Sequence, residues 1–119
     1  MKKSQAETIF DTALRVRNEL IAKYHTDDMT GKDSEASEML VKALATQGYK
    51  SKVCFGYCLY DNGEYSDSVH NYVLVAIGRD SVYLDITATQ YRKYIREDIP
   101  DIIMLMPGSN PYWLRSKKK

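Results

Sequence analysis

The hydrophobic pattern of this chain changes period once, near Gly48, and that change limits the folds the chain can adopt. Before Gly48, apolar residues recur every three to four positions over 4–24 and 34–47, which predicts two amphipathic helices. After Gly48, short apolar or alternating segments bounded by turn residues predict strands, at 51–60, 69–77, 80–86 and 102–106. Since the helices precede the strands instead of alternating with them, the sequence predicts an α+β fold with N-terminal helices packed on an antiparallel β-sheet.

The predicted helices carry recognisable end signals. Ser4 and Glu7 have the spacing of a capping box, in which each side chain accepts a hydrogen bond from the other residue's backbone N–H. For the second helix, Asp33 or Ser34 is predicted to be the N-cap, since short polar side chains accept hydrogen bonds from the first free amides. Gly48 is well placed to end that helix, because glycine adopts the left-handed conformation readily.

Length and charge restrict the classes of protein to which the chain belongs. Its 119 residues suit one domain, 1–119. Lys and Arg total 17 against 16 Asp and Glu, so the formal net charge of +1 provides no broad basic field and makes nucleic-acid binding unlikely. No apolar run approaches the ~20 residues that a membrane span requires, and the first residues lack the apolar core of a signal peptide. A cytoplasmic protein is therefore expected.

The cysteines and histidines do not suggest a metal or a disulfide. Cys54 and Cys58 lie in one strand-like segment, where four residues span about 13 Å, too far for the two thiols to bridge. Only two histidines, His25 and His70, accompany them, which is a poor supply for a structural zinc site. The two cysteines are interpreted as small buried hydrophobic residues.

Tyrosine is unusually common, with ten residues against two Phe and one Trp. Tyrosines are typical of half-buried sheet surfaces and also of binding clefts, and composition does not separate the two roles. Basic and aromatic residues are interleaved towards the C-terminus, in the mixture found in single-strand nucleic-acid sites, although the near-neutral total charge disfavours that function. The basic residues are Arg92, Lys93, Arg96, Arg115 and the lysine tail, and the aromatic ones are Tyr91, Tyr94, Tyr112 and Trp113. The segment Tyr112-Trp113-Leu114 is predicted to pack the C-terminus onto the domain.

The sharpest chemical signal comes from a predicted hairpin. If Gly78-Arg79 forms its two-residue loop, as a type II′ turn favours, Asp85 lies opposite Tyr72. His70, two residues along on the same face, is then a diagonal neighbour of Asp85 within side-chain reach. A carboxylate beside an imidazole orients the ring and stabilises its charged form. These two residues would supply two thirds of a nucleophile–His–Asp triad.

Three segments, in the same order, resemble the motifs of transglutaminase-like, papain-fold cysteine enzymes. They are Gly31-Lys32-Asp33-Ser34-Glu35-Ala36-Ser37 at the start of a helix, His70-Asn71-Tyr72-Val73-Leu74-Val75, and Tyr83-Leu84-Asp85-Ile86-Thr87 followed by Gln90-Tyr91. The resemblance covers about residues 28–92. It implies a papain-like transglutaminase core and acyl transfer on an amide, by peptide hydrolysis, deamidation or transamidation. It also implies no metal or organic cofactor.

The resemblance assigns roles to individual residues. His70 would be the general base and acid, and Asp85 would orient it. Tyr72 and Gln90, from the histidine and aspartate motifs, would contact a peptide or protein substrate. The position of the catalytic cysteine, however, falls on Asp33, which carries no thiol. The expected activity is therefore absent or strongly reduced.

Several explanations of Asp33 remain open at the level of sequence. The protein has lost its nucleophile and binds a peptide or protein through the former cleft or a tyrosine-rich surface, or the natural cysteine was replaced, or the motif is shifted and Ser34 is the nucleophile. An active enzyme predicts His70 exposed on the wall of an open cleft. A binding protein predicts the same scaffold with Asp33 paired to His70. An interaction protein that uses a flat tyrosine surface predicts no cleft.

Overall fold

The chain folds as predicted in outline, into two helices packed on a four-stranded antiparallel sheet. The structure, a computed structural model, describes residues 4–106, so the segment Tyr112-Trp113-Leu114 lies outside the described residues. The helices and strands are α1 Gln5–Tyr24, α2 Asp33–Ala45, β1 Ser51–Gly56, β2 His70–Ile77, β3 Asp80–Asp85 and β4 Ile103–Leu105, with a short 3-10 helix at Ala88–Tyr91. Over residues 4–106, neither helix combines the length and the apolar character that crossing a membrane would require.

The sheet is a meander in which each strand pairs with the next strand along the chain. Gly78 adopts φ 60° while Arg79 stays outside the left-handed region, as a type II′ turn requires. Ile77 consequently pairs with Asp80, which is the register predicted from the turn. The β2–β3 hairpin therefore fixes which side chains of the two strands are neighbours.

The helices bury one face of the sheet. In α1, the capping box of Ser4 and Glu7 is formed, with N···O distances of 2.9 and 3.1 Å. The main core consists of apolar residues from both helices and from the inner strands, among them Ile9, Val16, Leu20, Leu40, Leu44, Val73, Val75 and Leu84. This packing sets the start of α2 against the beginning of β2, which positions the candidate site.

The start of α2 differs from the prediction. The N-cap is Lys32, whose side chain makes no capping hydrogen bond. Asp33 is the first helical residue, and its carboxylate accepts hydrogen bonds from Asn71 at the start of β2 instead. The end of α2 agrees with the prediction, since Gly48 adopts φ 88° and the N–H of Tyr49 reaches back to the carbonyl of Leu44.

Strand β1 is shorter than predicted, because the chain leaves the sheet after Gly56. The following segment carries Cys58 into a second apolar cluster on the other face of the sheet, together with residues from β2, β4 and the 88–99 region. Cys58 is fully buried, Cys54 is partly buried, and both are free thiols. This second cluster covers the face of β2 on which His70 lies.

Candidate active site

His70 and Asp85 form a buried pair at one end of the hairpin. His70 is the first residue of β2 and Asp85 the last residue of β3. The Nε2 of His70 lies 2.6 Å from Oδ2 of Asp85, and neither side chain has exposed surface. The other Asp85 oxygen, Oδ1, accepts a hydrogen bond of 3.0 Å from the N–H of Thr87. The pair is the one indicated by the hairpin register, and its carboxylate is held from two sides.

Asp33 approaches the opposite nitrogen of the same imidazole. Its Oδ2 lies 3.9 Å from Nδ1 of His70, too far for a hydrogen bond. The same oxygen accepts hydrogen bonds from the backbone and side-chain amides of Asn71, at 2.7 and 2.9 Å. Nδ1 of His70 is buried and has no hydrogen-bond partner among residues 4–106. The structure thus places Asp85 and Asp33 at opposite nitrogens of the His70 ring, with Asp85 in hydrogen-bond contact and Asp33 beyond it.

The surroundings of His70 favour its charged form. Complete burial acts to lower the pKa of the imidazole, because desolvation penalises the cation. The charge of Asp85, its hydrogen bond to Nε2 and the charge of Asp33 outweigh burial, so the pKa of His70 is raised above its ordinary value. His70 therefore holds its proton to a higher pH than a free histidine does.

Two tyrosine rings enclose the imidazole. Tyr91, at the end of the 3-10 helix, meets it edge to face, with ring centroids 5.0 Å apart. Tyr72 is nearly parallel to it at 6.3 Å. Tyr72, predicted to contact substrate, is buried in the second cluster and does not line the neighbouring cleft. The interpretation as an active enzyme requires His70 to be exposed on a cleft wall. Because the two rings enclose it, His70 is buried instead.

The other two predicted site residues lie apart from the imidazole. Ser34 is exposed at the start of α2. It makes no hydrogen bond to Nδ1 of His70, which lacks a hydrogen-bond partner in the described part of the chain. Gln90 is half-buried, and its Nε2 donates to the carbonyl of Thr87 at 3.1 Å. Gln90 does line the neighbouring cleft, whereas Ser34 does not.

A cleft of about 300 Å³ opens beside Asp33. The α2 side supplies Thr30, Gly31 and Asp33, the 66–69 loop supplies polar residues, and the 90–94 segment supplies the opposite wall. Three tyrosines line it, Tyr60, Tyr91 and Tyr94. Tyr60 and Tyr94 stack with centroids 4.3 Å apart. Asp33 is 14% exposed, so its carboxylate reaches the cleft while His70 lies behind it.

Neither cysteine is suited to act as a nucleophile at this site. Burial raises the pKa of Cys58 to about 12 and also raises the pKa of Cys54, so neither is a thiolate near neutral pH. Neither lines the cleft. Over residues 4–106, no group of three or more His, Cys, Asp or Glu side chains is arranged to hold a metal ion.

Sequence reasoning missed two residues that shape this site. Asn71 holds the Asp33 carboxylate, and although it lies within the histidine motif, nothing in its local sequence predicts a contact with a residue 38 positions away. Arg17 on α1 is buried, and its Nη1 donates to the carbonyl of Ile86 at 2.6 Å. An arginine on the apolar face of an amphipathic helix was a usable signal, because such a residue needs a buried acceptor.

Protonation of His70 should make the stability of the protein depend on pH. The facing charges are Asp85 from β3 and Asp33 from α2, and the pKa is raised in the folded state. The stabilisation is therefore complete below about pH 6.5, the unfolded value, and is lost as pH rises through the folded pKa. Urea unfolding at pH 6, 7 and 8 should give a falling free energy of unfolding. His70→Gln should remove that slope, and a flat wild-type profile would contradict the raised pKa.

Three features of the site bear on its function: a buried His–Asp pair, a second carboxylate facing the other ring nitrogen, and an adjoining tyrosine-lined cleft. No family model, curated protein or solved structure matches the chain. The chemistry of the site is therefore derived from its own geometry.

Proposed function

We propose that this protein is a non-catalytic form of the transglutaminase-like, papain-fold cysteine enzymes, in which the scaffold binds a peptide or protein partner without acyl transfer. The observation that carries the proposal is the placement of Asp33 and Asp85 at opposite nitrogens of the His70 imidazole. In it, a carboxylate at the start of a helix faces Nδ1 of an imidazole at 3.9 Å, while a second carboxylate holds Nε2 at 2.6 Å. This is the order of a nucleophile–His–Asp triad, with the nucleophile position filled by Asp33.

The chemistry of these groups supports the absence of acyl transfer. A general base must be able to accept a proton, and the raised pKa of His70 extends the protonated form of the imidazole to a higher pH than in a free histidine. Asp33 is a weak nucleophile, and its Oδ2 is already engaged by two N–H donors from Asn71. In the described part of the chain, no hydroxyl or thiol makes a hydrogen bond to Nδ1 of His70, so the imidazole has no nucleophile to activate there.

The cleft supports a binding role. It has a volume of about 300 Å³, which is near the lower end of small-ligand sites and suits one side chain of a partner. Its tyrosine walls combine flat apolar rings with hydroxyl groups, which are common in recognition surfaces. A cytoplasmic location belongs to the same proposal, since Cys54 and Cys58 are both free thiols, as expected in a reducing compartment.

Restoring a thiol at position 33 tests the proposal. In Asp33→Cys, the thiol would lie at the N-terminus of α2 beside His70, where the helix dipole and an imidazolium stabilise a thiolate. At pH 6.5 it should react with iodoacetamide about tenfold faster than the thiol of Ser34→Cys, a matched control one residue along the same helix. The native thiols of Cys54 and Cys58 contribute little background, because burial raises the pKa of both.

The second arm isolates the imidazole. Adding His70→Gln to Asp33→Cys should abolish the rate advantage and move the pH profile of alkylation towards that of an ordinary thiol near pH 8.5. If the double variant does not fold, the pH profile of Asp33→Cys alone still decides. Equal rates for Asp33→Cys and Ser34→Cys would sink the triad interpretation. Release of ammonia from Nα-acetyl-glutamine N-methylamide by the wild type would overturn the absence of acyl transfer.

A further inference from the structure

We propose that the cleft beside Asp33 binds a guanidinium group, presented as an arginine side chain by a peptide or protein partner. This inference rests on the binding role proposed above, but it does not depend on an ancestral triad. It follows from the charge and the shape of the cleft walls.

The charge of the cleft differs in sign from that of the chain. The chain as a whole carries a formal charge of +1. Among the residues of the 4–106 range that line the cleft there are two carboxylates, Asp33 and Asp67, against one ammonium, that of Lys93. The local balance of −1 favours a cationic ligand.

Asp33 retains charge to offer such a ligand. Both hydrogen bonds that it accepts come from neutral amides of Asn71, and both end on Oδ2. They fix the direction of the carboxylate and leave Oδ1 for a donor. Nδ1 of His70 lies 3.9 Å from Oδ2, beyond hydrogen-bond distance. Within the described part of the chain, Asp33 is therefore held in place without a hydrogen-bonded cationic partner.

The aromatic wall selects the kind of cation. Tyr60 and Tyr94 are stacked on each other with an interplanar angle of 15°, which places two nearly parallel aromatic rings at the border of the cleft. A guanidinium is planar, stacks on aromatic surfaces and donates two parallel hydrogen bonds to a carboxylate, whereas an ammonium offers a single charged point. A site that combines carboxylates with stacked rings therefore fits arginine better than lysine.

The protein already uses its tyrosines to hold cations. The ammonium groups of Lys23 and Lys32 lie 5.1 and 5.0 Å from the ring centroid of Tyr24. At the cleft, the ammonium of Lys93 lies 5.8 Å from the ring centroid of Tyr94. Lys93 is thus an internal competitor for the cationic ligand, so its removal should strengthen binding.

Titration of the full chain with Nα-acetyl-arginine N-methylamide, followed by amide chemical shifts, tests the inference. The matched ligand Nα-acetyl-citrulline N-methylamide has nearly the same shape without the charge, and it should bind about tenfold more weakly. Methylguanidinium distinguishes the source of the group, because a site for a free cation binds it as tightly as the blocked arginine. Equal binding of the arginine and citrulline ligands would overturn the proposal, as would methylguanidinium binding that is as tight as that of the blocked arginine, or tighter.

Charge variants test the location. Asp33→Asn and Asp67→Asn should each weaken binding of the arginine ligand about three- to tenfold, while Lys93→Gln should strengthen it. Asp80→Asn in the β2–β3 turn and Lys42→Gln on α2 make the same charge changes elsewhere and should have no effect. Weaker binding in Lys93→Gln would contradict the inference. If the wild type binds the arginine ligand but the thiol of Asp33→Cys is not activated, this inference stands and the triad interpretation is wrong. If the thiol is activated but the arginine ligand does not bind, the triad interpretation stands and this inference is wrong.

Discussion

Asp85→Ala should lower the free energy of unfolding by about 3–5 kcal/mol, the largest loss expected of any charge variant of this protein. The substitution leaves the imidazole of His70 buried without the carboxylate that lies 2.6 Å from its Nε2. It also removes the acceptor of the Thr87 N–H. Removing one member of a buried pair exposes the full desolvation cost of the other, whereas a surface pair would lose little.

Urea unfolding at pH 7 measures this effect, with Asp80→Ala as the control. Asp80 is an exposed carboxylate at the other end of the same strand, so its removal should change stability by less than about 0.5 kcal/mol. Adding His70→Leu to Asp85→Ala should recover part of the loss, because no charge is then left buried. If Asp85→Ala does not fold, Asp85→Asn supplies the measurement. A loss below about 1 kcal/mol would contradict a stabilising buried pair.

Arg17→Met should lower the free energy of unfolding by about 2–3 kcal/mol, the second largest effect expected. The guanidinium of Arg17 is buried, and its Nη1 donates a hydrogen bond of 2.6 Å to the carbonyl of Ile86. Its Nη2 lies 3.5 Å from Oδ1 of Asp101. Methionine fills much of the same space but leaves the Ile86 carbonyl without a donor in the core. Since Ile86 follows Asp85 directly, the same hydrogen bond holds the end of β3 against α1.

The neighbouring Arg15 provides a matched control on the same helix. It is exposed and lies 3.9 Å from Glu19, a surface pair of little energetic weight. Arg15→Met should therefore leave the free energy of unfolding within about 0.5 kcal/mol of the wild type. Equal losses for the two variants in urea unfolding would mean that the hydrogen bond to Ile86 contributes nothing specific.

The parts of the fold that the sequence predicts well depend on short-range physics. The start of α1 follows from two side chains three residues apart, Ser4 and Glu7. The β2–β3 register follows from a turn of two residues, and the contact between His70 and Asp85 follows from that register. In each case the determining contacts lie within a segment whose conformation the local residues already fix.

The parts that the sequence does not predict depend on how distant segments pack. Asp33 looks like an N-cap in isolation, but Asn71 competes for its carboxylate once α2 lies against β2. The end of β1 at Gly56 was missed because the apolar pattern continues to residue 60. Residues beyond Gly56 are apolar because Cys58 packs in the second cluster, and not because the strand continues. Periodicity cannot distinguish these two reasons for an apolar residue.

The division of the site between a hairpin and a helix has a consequence for hydrogen exchange. His70 and Asp85 are joined by 15 residues of one hairpin, whereas Asp33 reaches Asn71 only when α2 lies against the sheet. The backbone amide of Asn71 donates to Asp33, so its protection reports the docking of α2. Amides between β2 and β3 report the hairpin itself. An opening that releases α2 alone would therefore expose the Asn71 amide while the His70–Asp85 hairpin stays closed.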